Sequence, residues 1–255
     1  MRIAVCVKQA VDETELKVGP NGVPLIAGAA SKVSTFDKNA VEEALRLKSA
    51  GGGEVVIFTV GPPDARKAMK EVLAMGADRG VHVVADTEKY DSMLVAQILA
   101  KAIQKSGPYD LTLCSEGSSD TYSGQVPPML AEFLGQPYAG YARKVEVSGA
   151  SSKVERALED KVEVVECPLP FVASVVNEIN EPRYPTLIQI MQASKKPVEE
   201  ATPEALGVSV QHPLVRVESM SAQPTNRKRV LIEGTPEEAA AKLIEALAKE
   251  GVIPG

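Results

Sequence analysis

The strongest constraint on this chain is an alternation, through its first half, of short β-branched runs with amphipathic stretches of helix length. This is the pattern of βαβ units around a parallel sheet. Ile3 to Val7 reads as the first strand. After an excursion containing Gly, Pro and Asn (Val18 to Ala30), Asp37 caps a helix whose Ala40, Val41, Ala44, Leu45 and Leu47 form an apolar stripe, and Gly51-Gly52-Gly53 stops it. Glu54 to Val60 is apolar except at its edges, as expected of a strand covered on both faces. Asp64 opens a second helix that ends at Gly76, Val81 to Ala85 is a third strand, Ser92 to Lys105 a third helix, and Leu111 to Cys114 a fourth strand. A helix containing Met129 to Leu134 and a short strand around Tyr138 to Tyr141 follow.

From Val145 the texture changes. Period-two runs at Lys144–Val147, Lys153–Arg156 and Val162–Val165 predict an antiparallel meander at the sheet edge, and Phe171 to Val176 is a further apolar run. Beyond Glu181 the chain is loop-rich, with Pro at 182, 185, 197, 203, 213 and 224, until an amphipathic helix from Glu237 to Lys249. So long a stretch without elements is uncommon within a compact domain, and Pro182 to Arg229 reads as lying on another polypeptide. The expected architecture is α/β: a Rossmann-like open parallel sheet with an antiparallel edge meander and a long C-terminal arm ending in a helix. The expected division is an α/β nucleotide-binding domain over 1–181, then an arm and helix over 182–255 that pack on a partner subunit.

Composition excludes several classes. Aromatic residues make up 4% of the 255, Trp is absent and the net charge is -6, so neither a stacking platform nor a basic groove for nucleic acid is available. The longest apolar runs fall far short of the roughly 20 residues that span a bilayer, so no membrane insertion is expected. Lys8, Gln9, Asp12 and Glu13 directly after the first apolar run do not fit a signal peptide. Cys6, Cys114 and Cys167 are scattered through apolar runs, which implies buried free thiols and a cytoplasmic protein. Two distant His and no CxxC disfavour zinc.

Ligands of open α/β sheets bind beyond the carboxyl ends of the strands. The first strand ends at Cys6-Val7-Lys8, the second at Val60-Gly61, and the fourth runs into Ser115-Glu116-Gly117-Ser118-Ser119-Asp120-Thr121-Tyr122-Ser123-Gly124-Gln125. Small residues there permit close backbone approach, and hydroxyls with free N–H groups suit an anion such as a nucleotide phosphate. An ordinary polar loop capping a helix has the same composition, and local sequence does not choose between them. Neither GxGxxG nor GxxxxGK[ST] occurs. Nucleophilic catalysis finds no support, because no His neighbours the serines in sequence. His82 reads as a strand residue, and His212, beside Pro213, is the other His of the chain. Lys8 is either a cation aimed at a phosphate or a strand-end surface charge. Val176 to Leu187 concentrates Asn, Arg and Tyr between prolines after an apolar run, as though something is positioned there.

At this point several motifs converge. Val5-Cys6-Val7-Lys8-Gln9, Ala40-Val41-Glu42-Glu43-Ala44-Leu45-Arg46-Leu47-Lys48, Leu73-Ala74-Met75-Gly76-Ala77-Asp78-Arg79-Gly80 and Asn180-Glu181-Pro182-Arg183-Tyr184, with Thr186-Leu187 and Ile190-Met191, resemble the β subunit of electron transfer flavoproteins along essentially the whole chain. The resemblance implies an electron carrier rather than an enzyme in itself. It would be half of a heterodimer with an α subunit that holds most of an FAD, taking electrons from acyl-CoA or other dehydrogenases, as in fatty acid oxidation, and passing them to a quinone-linked oxidoreductase. It further implies a pocket for AMP, or for a second FAD in electron-bifurcating members, made by Cys6, Ser34, Thr35, Phe36, Asp37, Val60 and Ser115 to Val126. Tyr184 to Lys196 would be the recognition loop, with Leu187 as the apolar anchor beside Tyr184, Ile190 and Met191. Gln192 and Ser194 stand where some relatives carry lysines. Ser115 and Tyr122 depart from the usual phosphate loop, while Gln125-Val126-Pro127 is closer to the bifurcating pattern. AMP is the commoner occupant and is the expectation, with a second FAD as the alternative. A stand-alone nucleotide-binding α/β protein is the rival from another class.

Overall fold

The first strand, β1 (Arg2–Cys6), is buried on both faces, and that placement organises everything around it. Ile3 and Val5 join one apolar cluster, and Ala4 and Cys6 join another on the opposite side. A side-chain period of two explains why one short run serves two cores. The computed structural model describes residues 1–209, 213–222 and 229–253. After β1 the excursion is tied by a hairpin of β2 (Gln9–Val11) and β3 (Ser31–Val33) and returns into α1 (Thr35–Gly51). Two further units follow: β4 (Glu54–Gly61) with α2 (Arg66–Met75), and β5 (Arg79–Val84) with α3 (Ser92–Ser106). Next come β6 (Leu111–Ser115) and α4 (Val126–Leu134), then β7 (Tyr138–Ser148), β8 (Ser151–Ala157), β9 (Val162–Pro168) and β10 (Phe171–Val175). The C-terminal region contributes α5 (Leu187–Ala193), β11 (Val198–Ala201) and α6 (Pro236–Lys249).

Among the described residues, nine strands form one sheet in the order β11-β5-β4-β1-β6-β10-β7-β8-β9. Pairing is parallel from β11 to β7 and antiparallel between β7, β8 and β9, so the open parallel sheet with an antiparallel edge meander is as expected. Val41 and Ala44 of α1 and Val72 and Leu73 of α2 pack on one face. Leu94 and Ile98 of α3 and Leu130 of α4 pack on the other. The chain steps outward from β1 to β4 and β5, then crosses back to lay β6 on the other side of β1. That reversal makes the carboxyl ends of β1 and β6 the switch point of the sheet, where neighbouring connections diverge and leave a crevice.

The amino end of the sheet is closed by polar staples. Asp78 takes two hydrogen bonds from Lys48 Nζ, at 2.6 and 2.7 Å, and one from the Val55 N–H, while Arg79 pairs with Glu54 at 2.8 Å. Asp78 and Arg79 of the Leu73–Gly80 motif therefore hold the frame at the end opposite the crevice. Gly53 has φ +124, and a Cβ there would lie 1.8 Å from the Met1 carbonyl oxygen, so only glycine lets the end of α1 pass the start of β1.

Three expectations are corrected. Asp37 does not cap α1: Ser34 stands at the cap, and Asp37 lies within the first turn with its carboxyl on the Lys8 N–H and Ser115. The short strand around Tyr138 to Tyr141 and the run at Lys144–Val147 are one strand, β7, interrupted by a register shift beside Tyr141 at φ +59. An irregularity of this kind ends a period-two pattern in the sequence without ending the strand. The chain beyond Glu181 is not loop alone before its last helix. Thr186 and Gln189 form a reciprocal capping box that starts α5, and β11 pairs with β5. A seven-residue helix between prolines and a four-residue polar edge strand lie below what periodicity detects. The expected boundary at 181/182 falls between β10 and α5, and the chain beyond it re-enters the sheet as β11. The last helix is where its pattern places it, begun by a capping box of Thr235 and Glu238.

Candidate functional site

Three segments meet over the switch point: the end of β1, the first turn of α1 and the loop leaving β6. Their meeting is held by buried polar groups. Asp37 accepts the Lys8 N–H at 2.6 Å through one carboxyl oxygen and hydrogen-bonds Ser115 Oγ through the other. Ser115 Oγ also lies 2.9 Å from the Gly117 carbonyl. One hydroxyl proton cannot serve two acceptors at once, whereas a protonated Asp37 donates to Ser115 and leaves the Ser115 proton for Gly117. Burial pushes the Asp37 carboxyl up to about 7, against the pull of Ser115 and Lys8. Geometry and electrostatics thus favour a carboxyl close to half protonated at neutral pH.

The loop rim is tied to the other two segments. Lys8 Nζ donates to Asp120 at 2.7 Å, to Ser118 at 3.3 Å and to Thr121 at 3.4 Å, so Lys8 is a strand-end cation turned onto the loop. Burial works to raise Asp120, but the hydrogen bonds from Lys8 and Ser118 outweigh it and hold the carboxyl below its ordinary range. The Ser119 N–H donates to Ser34 Oγ at 3.2 Å, and Phe36 meets Tyr122 edge to face with ring centroids 5.5 Å apart. Tyr122 sits at φ +46 with its ring over Gly117, where a Cβ would lie 2.7 Å from the ring. Partial burial and the Glu116 carboxylate push the Tyr122 hydroxyl up to about 12, and burial raises Glu116.

Capacity for an anion comes from neutral donors. Among the described residues, the N–H groups of Thr35, Ser123, Gly124 and Val126 donate to no protein acceptor, and the buried Ser119 Oγ has no partner. α4 offers few N–H groups of its own, since Pro127 and Pro128 occupy its first turn. The donors therefore belong to the loop and to α1, and they suit a phosphate oxygen better than a carboxylate-rich or metal-binding group. Beneath them Cys6, Val60, Cys114 and Val126 belong to one apolar cluster. Contact with Cys6 and burial hold the Cys114 thiol well above its ordinary range, so it is unreactive. All three cysteines are free and buried.

Of the expected residues, Ser34, Asp37 and Ser115 to Tyr122 are joined in a hydrogen-bonded network, and Cys6, Val60 and Val126 belong to the apolar cluster on one face of the sheet. Thr35, Ser123, Gly124 and Gln125 complete the segments between them. His82 is buried on β5, with Nε2 3.2 Å from the Gly61 carbonyl and Nδ1 unpartnered, and stands apart from this network. His212 lies outside the described residues.

The second group of expected residues forms a separate surface. Tyr184 is 91% exposed and Leu187 73% exposed, and Ile190 and Met191 are exposed on the same short helix, of which only Ala193 is buried. Ile188, exposed as well, belongs with them. Both ends of this segment are gripped. Arg183 places Nε and Nη2 on the two carboxyl oxygens of Glu42, at 2.7 and 2.8 Å, and its N–H reaches the same carboxylate. Asn39 donates to the carbonyls of Asn177 and Asn180, and Asn180 donates back to the Asn39 carbonyl and to Glu43. At the other end Lys196 Nζ donates to the carbonyls of Leu73 and Ala77 at the end of α2, and burial lowers its affinity for a proton. Asn39, Glu42, Glu43 and Lys196 were not expected from sequence. The signal for the first three is that α1 carries polar residues on a side that the arm covers, which a helical stripe alone assigns to water.

The family model described as the electron transfer flavoprotein domain matches residues 25–206. Three relatives, each an electron transfer flavoprotein subunit beta, cover 99% of this chain, and in each case the match spans their whole length. The one from Thermoanaerobacterium thermosaccharolyticum is 36% identical, that from Clostridium acetobutylicum 34%, and that from Bacillus subtilis 33%. With the switch-point crevice, the gripped apolar helix and full-length similarity all pointing one way, the chain belongs to the electron transfer flavoprotein family, on its β-subunit side.

Proposed function

We propose that this chain is the β subunit of a heterodimeric electron transfer flavoprotein that works in the cytoplasm, accepting electrons from acyl-CoA or other dehydrogenases and delivering them to a quinone-linked oxidoreductase. The observation that carries the reading is the pairing of a neutral, donor-rich crevice with an exposed apolar helix held at both ends. FAD, when bound mostly by the α subunit, supplies reversible electron storage. The residues of this chain position and exclude.

In this reading the rim formed by Ser34 to Asp37 and Ser115 to Val126 holds AMP. The N–H groups of Thr35, Ser123, Gly124 and Val126 and the Ser119 hydroxyl are the phosphate donors, and Cys6, Val60 and Val126 flank the apolar part. The nucleotide fills the switch point and braces loop against helix, a structural role. Leu187, with Tyr184, Ile190 and Met191, docks the dehydrogenase. A few apolar anchors on a small surface suit a carrier that must dock and leave within a catalytic cycle. Residues 182–255 beyond that helix pack on the α subunit, as the exposed Leu214, Val215, Val217, Val230, Leu231, Leu243 and Ile244 suggest. No described helix is long and apolar enough to cross a membrane.

Co-purification with the α subunit, denaturation and chromatography of the released nucleotides test this directly. One FAD and one AMP per heterodimer is the expected result. Two FAD and no AMP would replace it with an electron-bifurcating component, which the Gln125-Val126-Pro127 stretch at the start of α4 favours. ATP turnover by the isolated chain that is lost on Asp120→Asn would instead favour a stand-alone nucleotide-binding protein.

A further inference from the structure

α5 is too short and too exposed to hold its own pose. Seven residues fall well below the roughly 12 to 15 at which an isolated helix becomes even marginal in water, and only Ala193 of it is buried. Its capping box starts the helix but does not orient it. α5 runs along α2 but buries only Ala193 there, so its ends fix how it lies, and both ends carry charged side chains that make more hydrogen bonds than a chain returning to solvent needs.

At the amino end, Glu42 is buried on α1 and both of its carboxyl oxygens are engaged by Arg183. A bidentate guanidinium–carboxylate pair fixes angle as well as distance. One turn earlier, Asn39 and Asn180 exchange hydrogen bonds through their amides and carbonyls, so the backbone before Pro182 is fixed against the same helix. At the carboxyl end, the Lys196 ammonium donates to the Leu73 carbonyl in the last turn of α2, at 2.8 Å, and to the Ala77 carbonyl just beyond that helix, at 2.6 Å, where the dipole favours a cation. β11 pairs with β5 immediately afterwards and prevents the chain from sliding.

We infer that Glu42 and Lys196 are positioning residues for docking: with Arg183 they clamp the segment 184–195 onto α1 and α2, so that Leu187 and Met191 are presented in one pose to the electron donor. This rests on the reading of α5 as the docking helix and adds to it that the affinity for the donor is set partly by residues that do not touch it. A prearranged anchor loses less conformational freedom on binding than one that must be ordered at the encounter. α1 also carries Phe36 and Asp37 of the crevice in its first turn, so the docking segment is referenced to the same rigid element as the nucleotide site.

The test uses the heterodimer with its α subunit and an acyl-CoA dehydrogenase that reduces the wild-type heterodimer. Glu42→Gln and Lys196→Met are compared with Leu187→Ala, and Arg183→Lys serves as the conservative variant that keeps a donor on Glu42. The expected result for Glu42→Gln and Lys196→Met is hydrogen exchange at 187–193 at least fivefold faster and a KM for the heterodimer raised about fivefold, with kcat within twofold and flavin content unchanged. Arg183→Lys, which keeps one donor on Glu42 but loses the two-oxygen grip, is expected to raise KM less than Glu42→Gln does. Wild-type exchange, or faster exchange with wild-type KM, while Leu187→Ala still raises KM, would overturn the clamp and leave the docking helix standing. A silent Leu187→Ala would remove the docking helix and this inference with it. Loss of flavin in the clamp variants would make them supports of the heterodimer and also overturn it.

Discussion

The crevice over β1 and β6 and the C-terminal region from α5 to α6 are built on opposite principles. In the crevice, Ser34, Asp37 and Ser115 are buried and each is hydrogen-bonded to a segment distant in sequence. In the C-terminal region the polar groups hold the roots, while the large apolar side chains face outward, and α6 has no buried residue at all despite its amphipathic sequence. The first region is held together by contacts within this one chain. The second reads, in the function proposed above, as half of an interface: an amphipathic helix gains most of its stability from what covers its apolar face, and among the described residues no side chain of α6 is buried.

The largest expected effect tests the second region. Leu243→Glu with Ile244→Glu places charge on the apolar side of α6 and is expected to weaken assembly with the α subunit at least 100-fold, about 3 kcal/mol, measured by sedimentation of the mixed subunits. Unchanged assembly would mean that α6 is not an interface and that the contrast between the regions is mistaken. Next comes a pH effect confined to the crevice. Because the Asp37 carboxyl is raised from 3.8 to about 7 in the folded chain, the folded state holds its proton where the unfolded state has released it. Its contribution is fully present below pH 3.8 and is lost as pH rises through about 7, and the part lost between pH 5 and 8 is under about 3 kcal/mol. Denaturant unfolding between pH 5 and 8 should therefore show falling stability that Asp37→Asn flattens. An identical slope in that variant would mean that the Asp37–Ser115–Gly117 arrangement is not protonated as argued.

Smaller effects sharpen the comparison. Leu187→Ala should raise the KM for the donor by about tenfold, 1 to 2 kcal/mol, and leave nucleotide content intact, because α5 and the crevice share no side-chain contact that it removes. Smallest is Lys8→Met. Lys8 is partly exposed, so losing its pair with Asp120 should cost under about 1 kcal/mol, a fall in Tm of roughly 2 to 4 °C. Nucleotide retention in that variant separates the contribution of the cation from that of the neutral donors. Full retention would assign phosphate binding to the N–H groups and hydroxyls.

Much of the frame was legible because its signals are local. β4 reads as a doubly covered strand from Val55 to Val60, and all of those residues are buried. α6 reads from its amphipathic stripe. The loop from Ser115 to Gln125 stood out by its small and hydroxyl residues at a strand end, although composition could not separate a phosphate loop from an ordinary one. Leu187 and the residues around it came from family resemblance rather than from any pattern of their own. β11 escaped because a four-residue polar strand carries almost no periodicity, and α5 because seven residues between prolines span too few turns to show one.

Residue order dictated the alternation of strands and helices, the buried thiols and the presence of an unusual loop after Cys114, since each depends on neighbours within a few positions. Tertiary structure alone decided that β6 returns to the far side of β1, that Asp37 meets Ser115, and that Glu42 and Lys196 hold the two ends of the segment around α5. Those pairings join residues dozens to more than a hundred positions apart. A carboxylate or ammonium written on a helix looks the same in sequence whether it faces water or a partner brought to it by the fold.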